Sequence, residues 1–466
     1  LIPLLKWWLI LEVLGLVGLP IVAWLFPSLK DRGMSLSIPV GLLMVAYPVW
    51  LLSHLGPFFG AGAILLWLFV FGGAAIGLFL WEFGEWRQVF RKPWEILLSK
   101  AVWLASFFIL TLLRSYNPDI VGMSNWGGCE KFMDLNFVNG ILGSSEFPPH
   151  DGWLAGFPIN YYYYGYYLCA LLVKLTGVLP HVGYNLMLVT VYALAIHGAW
   201  GLLRNLGVRW YWVALAIYVA FLATNLKAGN LAWTARGIEP QQAMGTSRVI
   251  DVSPVKDETG KTIVPGDHTI NEYPLFTFSW GDLHGHLSGM ALQMGLLGLC
   301  WGAVVSFGTV SVLRQICGVL PIALVYGSLV VTNAWDLPAF AVVVLFGLLS
   351  ATSLRKNWKE LLIAAGTLGL TASLLGLRQF GVPLQAVFAA VSIVGFFLLA
   401  LSRGFPDLRL GGHLGLRLAA ILAVFSVLFF PFFAHFVPPT SGVNRVPWDL
   451  KSPMGPFLQI FGVHFA

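Results

Sequence analysis

Two carboxylates stand four residues apart in Cys129-Glu130-Lys131-Phe132-Met133-Asp134-Leu135-Asn136. On a helical turn that spacing puts Glu130 and Asp134 on one face. Paired carboxylates can serve as a general base and as organiser of a metal or phosphate. A solvated helix balanced by Lys131 explains the same residues without chemistry. A second constellation is Asp282-Leu283-His284-Gly285-His286. Alternate residues share a face of an extended strand. Asp282, His284 and His286 are therefore candidate ligands for a divalent metal, Mg or Mn, or a phosphate-binding set with imidazole donors. Imidazoles bonded to backbone carbonyls are the structural alternative.

Smaller candidates surround these. His150 and Asp151 follow Phe147-Pro148-Pro149, where proline fixes the backbone. They suit a rigid surface turn as well as a binding role. Asp336 lies in Thr332-Asn333-Ala334-Trp335-Asp336-Leu337-Pro338, and either caps the next helix or faces a site. Arg445 is placed to clamp a phosphate or to meet a lipid headgroup. His54, His197 and His435 stand alone in apolar segments and read as structural. Residues 160–167 read Asn-Tyr-Tyr-Tyr-Tyr-Gly-Tyr-Tyr, a dense share of the 14 tyrosines. An apolar ring with a wet hydroxyl prefers a membrane–water boundary, so the run marks an interface. It makes Tyr163 and Tyr164 candidates for substrate contact.

Other chemistry is disfavoured. No phosphate-cradling Gly-rich loop, H-E-x-x-H or G-x-S-x-G occurs. Cys129, Cys169, Cys300 and Cys317 form no C-x-x-C pair, which argues against a disulfide framework or zinc site. The net charge of +6 lies mostly in short loops. No basic patch accompanies a reading module, so nucleic acid is not an expected partner.

The elements that would carry these residues are transmembrane helices. The chain has 466 residues, 58% hydrophobic and only 10% charged, with mean hydropathy +0.79. Soluble domains carry about 25% charged residues. About twelve stretches approach the ~20 apolar residues a span needs: 3–25, 36–54, 60–81, 95–113, 182–203, 210–226, 286–306, 316–334, 337–353, 361–377, 382–402 and 417–437. Lys30 and Arg32; Arg87, Arg91 and Lys92; Arg204 and Arg209; Arg314; Arg355, Lys356 and Lys359; and Arg403, Arg409 and Arg417 mark the cytoplasmic loops. The long loops 114–181 and 227–285 and the tail 438–466 then face outside. Residues 251–268 read as a hairpin or flap.

One segment decides whether this works. If residues 161–177 crossed, Arg204 and Arg209 would fall outside. If they form an amphipathic helix lying in the interface, every later loop obeys the charge rule. Lys174, Gly177 and Pro180 suit a short helix that stops there. All the polar motifs then share one external face.

Four motifs carry a resemblance: Glu130-Lys-Phe-Met-Asp134; Phe147-Pro-Pro through Tyr167; Phe278-Ser-Trp-Gly-Asp-Leu-His-Gly-His286; and Thr332-Asn-Ala-Trp-Asp-Leu-Pro338. They resemble the bacterial and archaeal YYY-domain membrane proteins, named for the tyrosine run, over roughly 95–466. The order of span, acidic external loop and aromatic juxtamembrane helix is similar to GT-C glycosyltransferases. That resemblance implies an all-α polytopic protein of the cytoplasmic membrane. It implies an extra N-terminal unit over 1–94 and a GT-C-like domain over 95–466, with an external juxtamembrane helix at about 161–177. It also implies transfer of a sugar from a polyprenyl-phosphate donor to an acceptor on the external face, with Glu130 or Asp134 as base. The acidic pair departs from the family's adjacent one. Two other functions fit the composition: a non-catalytic subunit of a larger membrane complex, photosynthetic among the options, and a polyprenol or lipid transporter. The chain begins with Leu1 rather than Met, and a fresh apolar stretch opens at Phe457–Phe461. The sequence therefore reads as open at either end.

Overall fold

The computed structural model describes residues 1–91, 93–120, 130–223, 225–234, 245–247, 251–252, 254–264, 267–268, 271–351 and 427–437. The chain divides into two compact units. The first comprises Leu1–Pro118, Met133–Val208 and Leu283–Thr440; the second comprises Asp119–Phe132, Arg209–Asp282 and Ser441–Ala466. Helices dominate, and the strands among the described residues are two short antiparallel pairs.

In the first unit the chain forms α1 (Ile2–Leu25), α2 (Met34–Ser53), α3 (Ala61–Trp81), α4 (Phe83–Arg91), α5 (Trp94–Ser115) and α6 (Lys131–Gly143), whose first two residues belong to the second unit. It continues with α7 (Tyr164–Thr176) and α8 (Pro180–Asn205). After the second unit come α12 (Gly285–Ser306), α13 (Val312–Thr332), a short 3-10 turn at Ala334–Asp336 and α14 (Leu337–Ala351). Residues 427–435 are helical. Apolar runs become helices here because a lipid-facing backbone must satisfy its own hydrogen bonds. Pro3 and Pro180 sit in the first turns of α1 and α8, where a missing N–H costs nothing.

Seven helices among the described residues are long and apolar enough to cross a membrane: α1, α2, α3, α5, α8, α12 and α13. They match seven of the expected spans. The expected span 210–226 is shorter: α9 (Trp210–Ile217) runs into a π turn at Tyr218–Leu222, and Ala223 is extended. α14 is followed for 15 residues. The expected spans 361–377 and 382–402, most of 417–437, and Arg445 lie outside the described residues.

α5 and α8 settle the path around the tyrosine run. Arg204 near the end of α8 pairs with Glu95 at the start of α5. Arg114 at the end of α5 donates to Asn185 near the start of α8, at 2.7 Å. The two helices are antiparallel neighbours, so Tyr116, after α5, and Leu179, before α8, lie at one end of the pair. α7 does not cross: its 13 residues span about 20 Å, against a hydrocarbon core of about 30 Å. Gly177, at φ 65°, closes it in the left-handed conformation open to glycine.

The expected amphipathic character is corrected. From Tyr164 to Val173 every residue of α7 is buried. Packing against α1, α3, α8 and α13 surrounds this helix with protein on nearly every side. Tyrosine rings and hydroxyls are satisfied there inside a helix bundle rather than at a lipid edge. Tyr167 donates to the Ala46 carbonyl at 2.6 Å, and Trp50 Nε1 donates to the Tyr163 hydroxyl at 3.3 Å.

The basic end of this unit is tied together by polar contacts. Asn205 accepts from the Lys30 N–H at 2.6 Å and donates to Asp31 at 3.0 Å. Arg314 pairs with Glu82 at 2.8 Å.

The second unit holds α9, α10 (Leu226–Thr234), β1 (Asp251–Val252), β2 (Val255–Lys256), β3 (Thr262–Val264), β4 (Asp267–His268) and α11 (Pro274–Trp280). The strands pair as β1–β4 and β2–β3, a two-tier hairpin, as the turn residues suggested. Asp257 Oδ1 accepts from Thr259 and Lys261 N–H, both at 2.9 Å, and shapes its tip.

Candidate functional site

Asp134 lies in the first turn of α6 and is wholly buried. A carboxylate taken out of water needs donors. Tyr166 of α7 donates to its Oδ1 at 2.5 Å, and Tyr184 of α8 donates to Oδ2 at 3.3 Å. The Tyr184 hydroxyl in turn accepts from the Leu283 N–H at 2.9 Å. His284 Nδ1 stands 3.8 Å from Asp134 Oδ1, and the imidazole keeps 17% of its surface exposed. The other ring nitrogen, Nε2, lies 2.6 Å from the Tyr161 hydroxyl. Four segments therefore deliver one chain of groups, Tyr161–His284–Asp134–Tyr166/Tyr184. Burial first, and then the Asp134 charge, hold the Tyr166 hydroxyl well above its ordinary range. It stays a proton donor to the carboxylate.

Local structure explains the placement. His284 precedes α12 with extended backbone, and Gly285 begins the helix. Segment 282–286 is therefore a turn entering a helix, which corrects the strand reading. The two imidazoles diverge in role although their rings lie 5.6 Å apart. His284 meets Asp134 and Tyr161. His286 lies near enough to favour the ionised form of Asp336. Asp282 is the last residue of the second unit, two positions before His284.

The other candidates fall as follows. Glu130 is exposed and stands one residue ahead of α6, whereas Asp134 is inside it and buried. Asp336 accepts from Gln293 Nε2 at 2.9 Å, and burial raises its carboxyl above the ordinary value. Its side chain faces α12. Asp151 Oδ1 accepts from Trp153 N–H at 2.8 Å, the geometry of a rigid turn. His150 is exposed, and its backbone bridges Pro158. Tyr163 and Tyr164 are buried among Trp50, Phe429, Phe432 and Tyr167.

Sequence reasoning did not single out Tyr161, Tyr166 or Tyr184. The helical period held a signal for one of them. Tyr163 and Tyr167 are four apart and turn together toward α2, which leaves Tyr166 for the α6 side. Its ring lies 5.4 Å from that of Phe137. Tyr184 and its long-range partner gave no local signal.

Among the described residues, Asp134 and His284 offer ligand atoms 3.8 Å apart. Two ligands on one cation, each about 2.0–2.3 Å away, lie about 3–4.5 Å from each other. The pair therefore fits a shared cation.

The comparisons with known proteins give one family. Its model, described as an uncharacterized membrane protein (DUF2298), matches residues 44–466, and the chain belongs to that family. The match and the apolar helices together make it an integral membrane protein. No curated protein and no solved structure matches the chain.

Proposed function

We propose that this family member is a membrane glycosyltransferase of GT-C type. It moves a sugar from a polyprenyl-phosphate donor to an acceptor hydroxyl on the external face. The observation that carries the reading is the buried Asp134, held by two tyrosine hydroxyls and coupled to a partly exposed His284 at the end of the bundle away from the basic loops.

In this reading Asp134, 3.8 Å from His284 Nδ1, holds the imidazole in place and balances its charge once it carries a proton. His284, the member of the pair that retains exposure, takes the acceptor proton as the hydroxyl attacks the sugar's anomeric carbon. The bond from that carbon to the donor phosphate breaks, and the polyprenyl phosphate leaves with the electron pair. Tyr161, hydrogen-bonded to His284, fixes the ring. Glu130 is the exposed alternative base. With a divalent cation on Asp134 and His284 in place of that proton transfer, the pair would instead neutralise the departing phosphate. The donor's isoprenoid tail would lie in the bilayer among the apolar helix faces.

The test offers purified protein a panel of radiolabelled polyprenyl-phosphate sugars in bilayer nanodiscs with hydroxyl-bearing acceptors. Wild type should release free polyprenyl phosphate from at least one donor. Asp134→Asn and His284→Ala should lose this at least a hundredfold while staying monodisperse. Equal turnover by both variants and wild type, or no donor consumed at all, would overturn the assignment.

A further inference from the structure

The basic end of the first unit holds a cavity of about 290 Å³, bounded by Trp24, Arg32, Glu82, Glu85, Trp86 and Arg314. Arg314 opens α13, whose last residue, Thr332, leads toward Asp336. Its 21 residues separate the cavity from that end by about 30 Å. The cavity is thus distinct from the Asp134 network.

Its charges are unevenly matched. Arg314 donates to Glu82 at 2.8 Å, and its guanidinium lies 5.1 Å over the Trp24 ring. Arg32 meets no carboxylate among the described residues and donates to the Pro27 carbonyl at 3.0 Å. Glu85 meets no cation among them. The four charges sum to zero, so the cavity suits a zwitterion better than a net anion.

The backbone that presents Arg32 is fixed locally. Among the described residues Arg32 is the one non-glycine with left-handed backbone, at φ 52°. That conformation is unfavourable for an L-residue and persists where neighbours impose it. Here Asp31 imposes it by accepting from the N–H groups of Gly33 and Ser35, each at 3.1 Å.

The surroundings are apolar. The cavity lies where α1 and α3 end, and Leu80 and Trp81 of α3 are exposed beside it. Its volume is near the lower bound of about 300 Å³ for ligand sites, which suits a headgroup rather than a whole lipid.

We infer that this cavity binds the headgroup of a phospholipid carrying a primary ammonium. The phosphate sits on Arg32, the ammonium is met by Glu85, and the acyl chains run down α3. Trp24 and Trp86 bound the headgroup.

Native mass spectrometry of the intact protein, titrated with phosphatidylethanolamine, phosphatidylglycerol and phosphatidylcholine, tests it. Wild type should retain phosphatidylethanolamine best. Arg32→Gly keeps the left-handed backbone and should weaken that retention about tenfold. Ala23→Phe, which fills the cavity without touching a charge, should weaken it as much. Glu85→Gln should erase the preference for ethanolamine. Soluble O-phosphoethanolamine should compete only at far higher concentration than the lipid. Equal retention of all three lipids, unchanged retention in Arg32→Gly and Ala23→Phe, or free phosphoethanolamine as strong as the lipid would each overturn the inference.

Discussion

At the scale of single residues, Asp134 has two jobs that one substitution can separate. A hydrogen bond to a charged group contributes about 1.5–3 kcal/mol. Tyr166→Phe removes the shorter of its two tyrosine donors and leaves the buried carboxylate undersatisfied. The expected result is a loss of about 2 kcal/mol in unfolding free energy, read by denaturant titration in detergent. Combining Tyr166→Phe with Asp134→Asn should recover part of that loss, because a neutral amide tolerates burial better. An additive double variant would show that the two groups are uncoupled. His54 makes a separate prediction. Burial lowers its pKa to about 4, with His435 adding repulsion against the pull of the Trp50 carbonyl. The unfolded chain therefore binds the proton first, near the ordinary value of about 6.5. Stability carried by neutral His54 is complete above that pH and drains away as pH falls toward 4. Wild type should lose about 2 kcal/mol between pH 7 and pH 5 through this group, and His54→Gln should flatten that part of the profile.

At the scale of elements, α7 is where the sequence spoke most clearly about path and least clearly about surroundings. Charge placement, with Lys174, Gly177 and Pro180 as stop signals, kept residues 161–177 from crossing, and the antiparallel pairing of α5 with α8 agrees. Phe157 and Leu179, exposed on either side of α7, should both label from one face as single cysteines with a membrane-impermeant maleimide. Leu206, past the end of α8, should label from the other. Labelling of Phe157→Cys and Leu179→Cys from opposite faces would mean that α7 spans. The burial of α7 was not legible, because composition shows that a helix is rich in tyrosine and not which neighbours enclose it. Glu130 and Asp134 show the same limit: their spacing was informative, but a helix that starts at Lys131 leaves one exposed and one sealed. The interface of α1 and α2 was likewise hidden. A Cβ on Gly41 would lie 1.9 Å from the Leu14 carbonyl oxygen, and one on Gly18 would lie 2.0 Å from that of Ser37. Two backbones approach there as only glycine allows. Gly41→Ala should cost on the order of 3 kcal/mol, the upper part of the overpacking range, seen as a lower thermal midpoint.

At the scale of the molecule, residues 1–94 and 95–466 can be tested as separable parts. The resemblance treats the first as an addition, and the family match begins at residue 44, inside α2. The contacts point to mutual dependence. Trp7 donates to Thr190 at 2.9 Å, and Trp103 donates to Glu12 at 2.9 Å. The Asp31–Asn205, Ala46–Tyr167 and Glu82–Arg314 bonds cross the same boundary. Without α1 and α2, the buried aromatic residues of α7 would face lipid with their hydroxyls unmet, at about 1–3 kcal/mol for each stranded group. Residues 95–466 expressed alone should therefore aggregate when extracted from the membrane. Co-expression with residues 1–94 as a second chain should restore a monodisperse complex, since the break removes only Trp94, the first residue of α5, and leaves the rest of that helix whole. Glu12→Ala in the shorter chain should weaken that rescue, because it removes the acceptor for both Lys100 and Trp103. A monodisperse 95–466 chain with its α7 tyrosines protected from modification would show instead that the first three spans are an attachment, and that the Asp134 network stands without them.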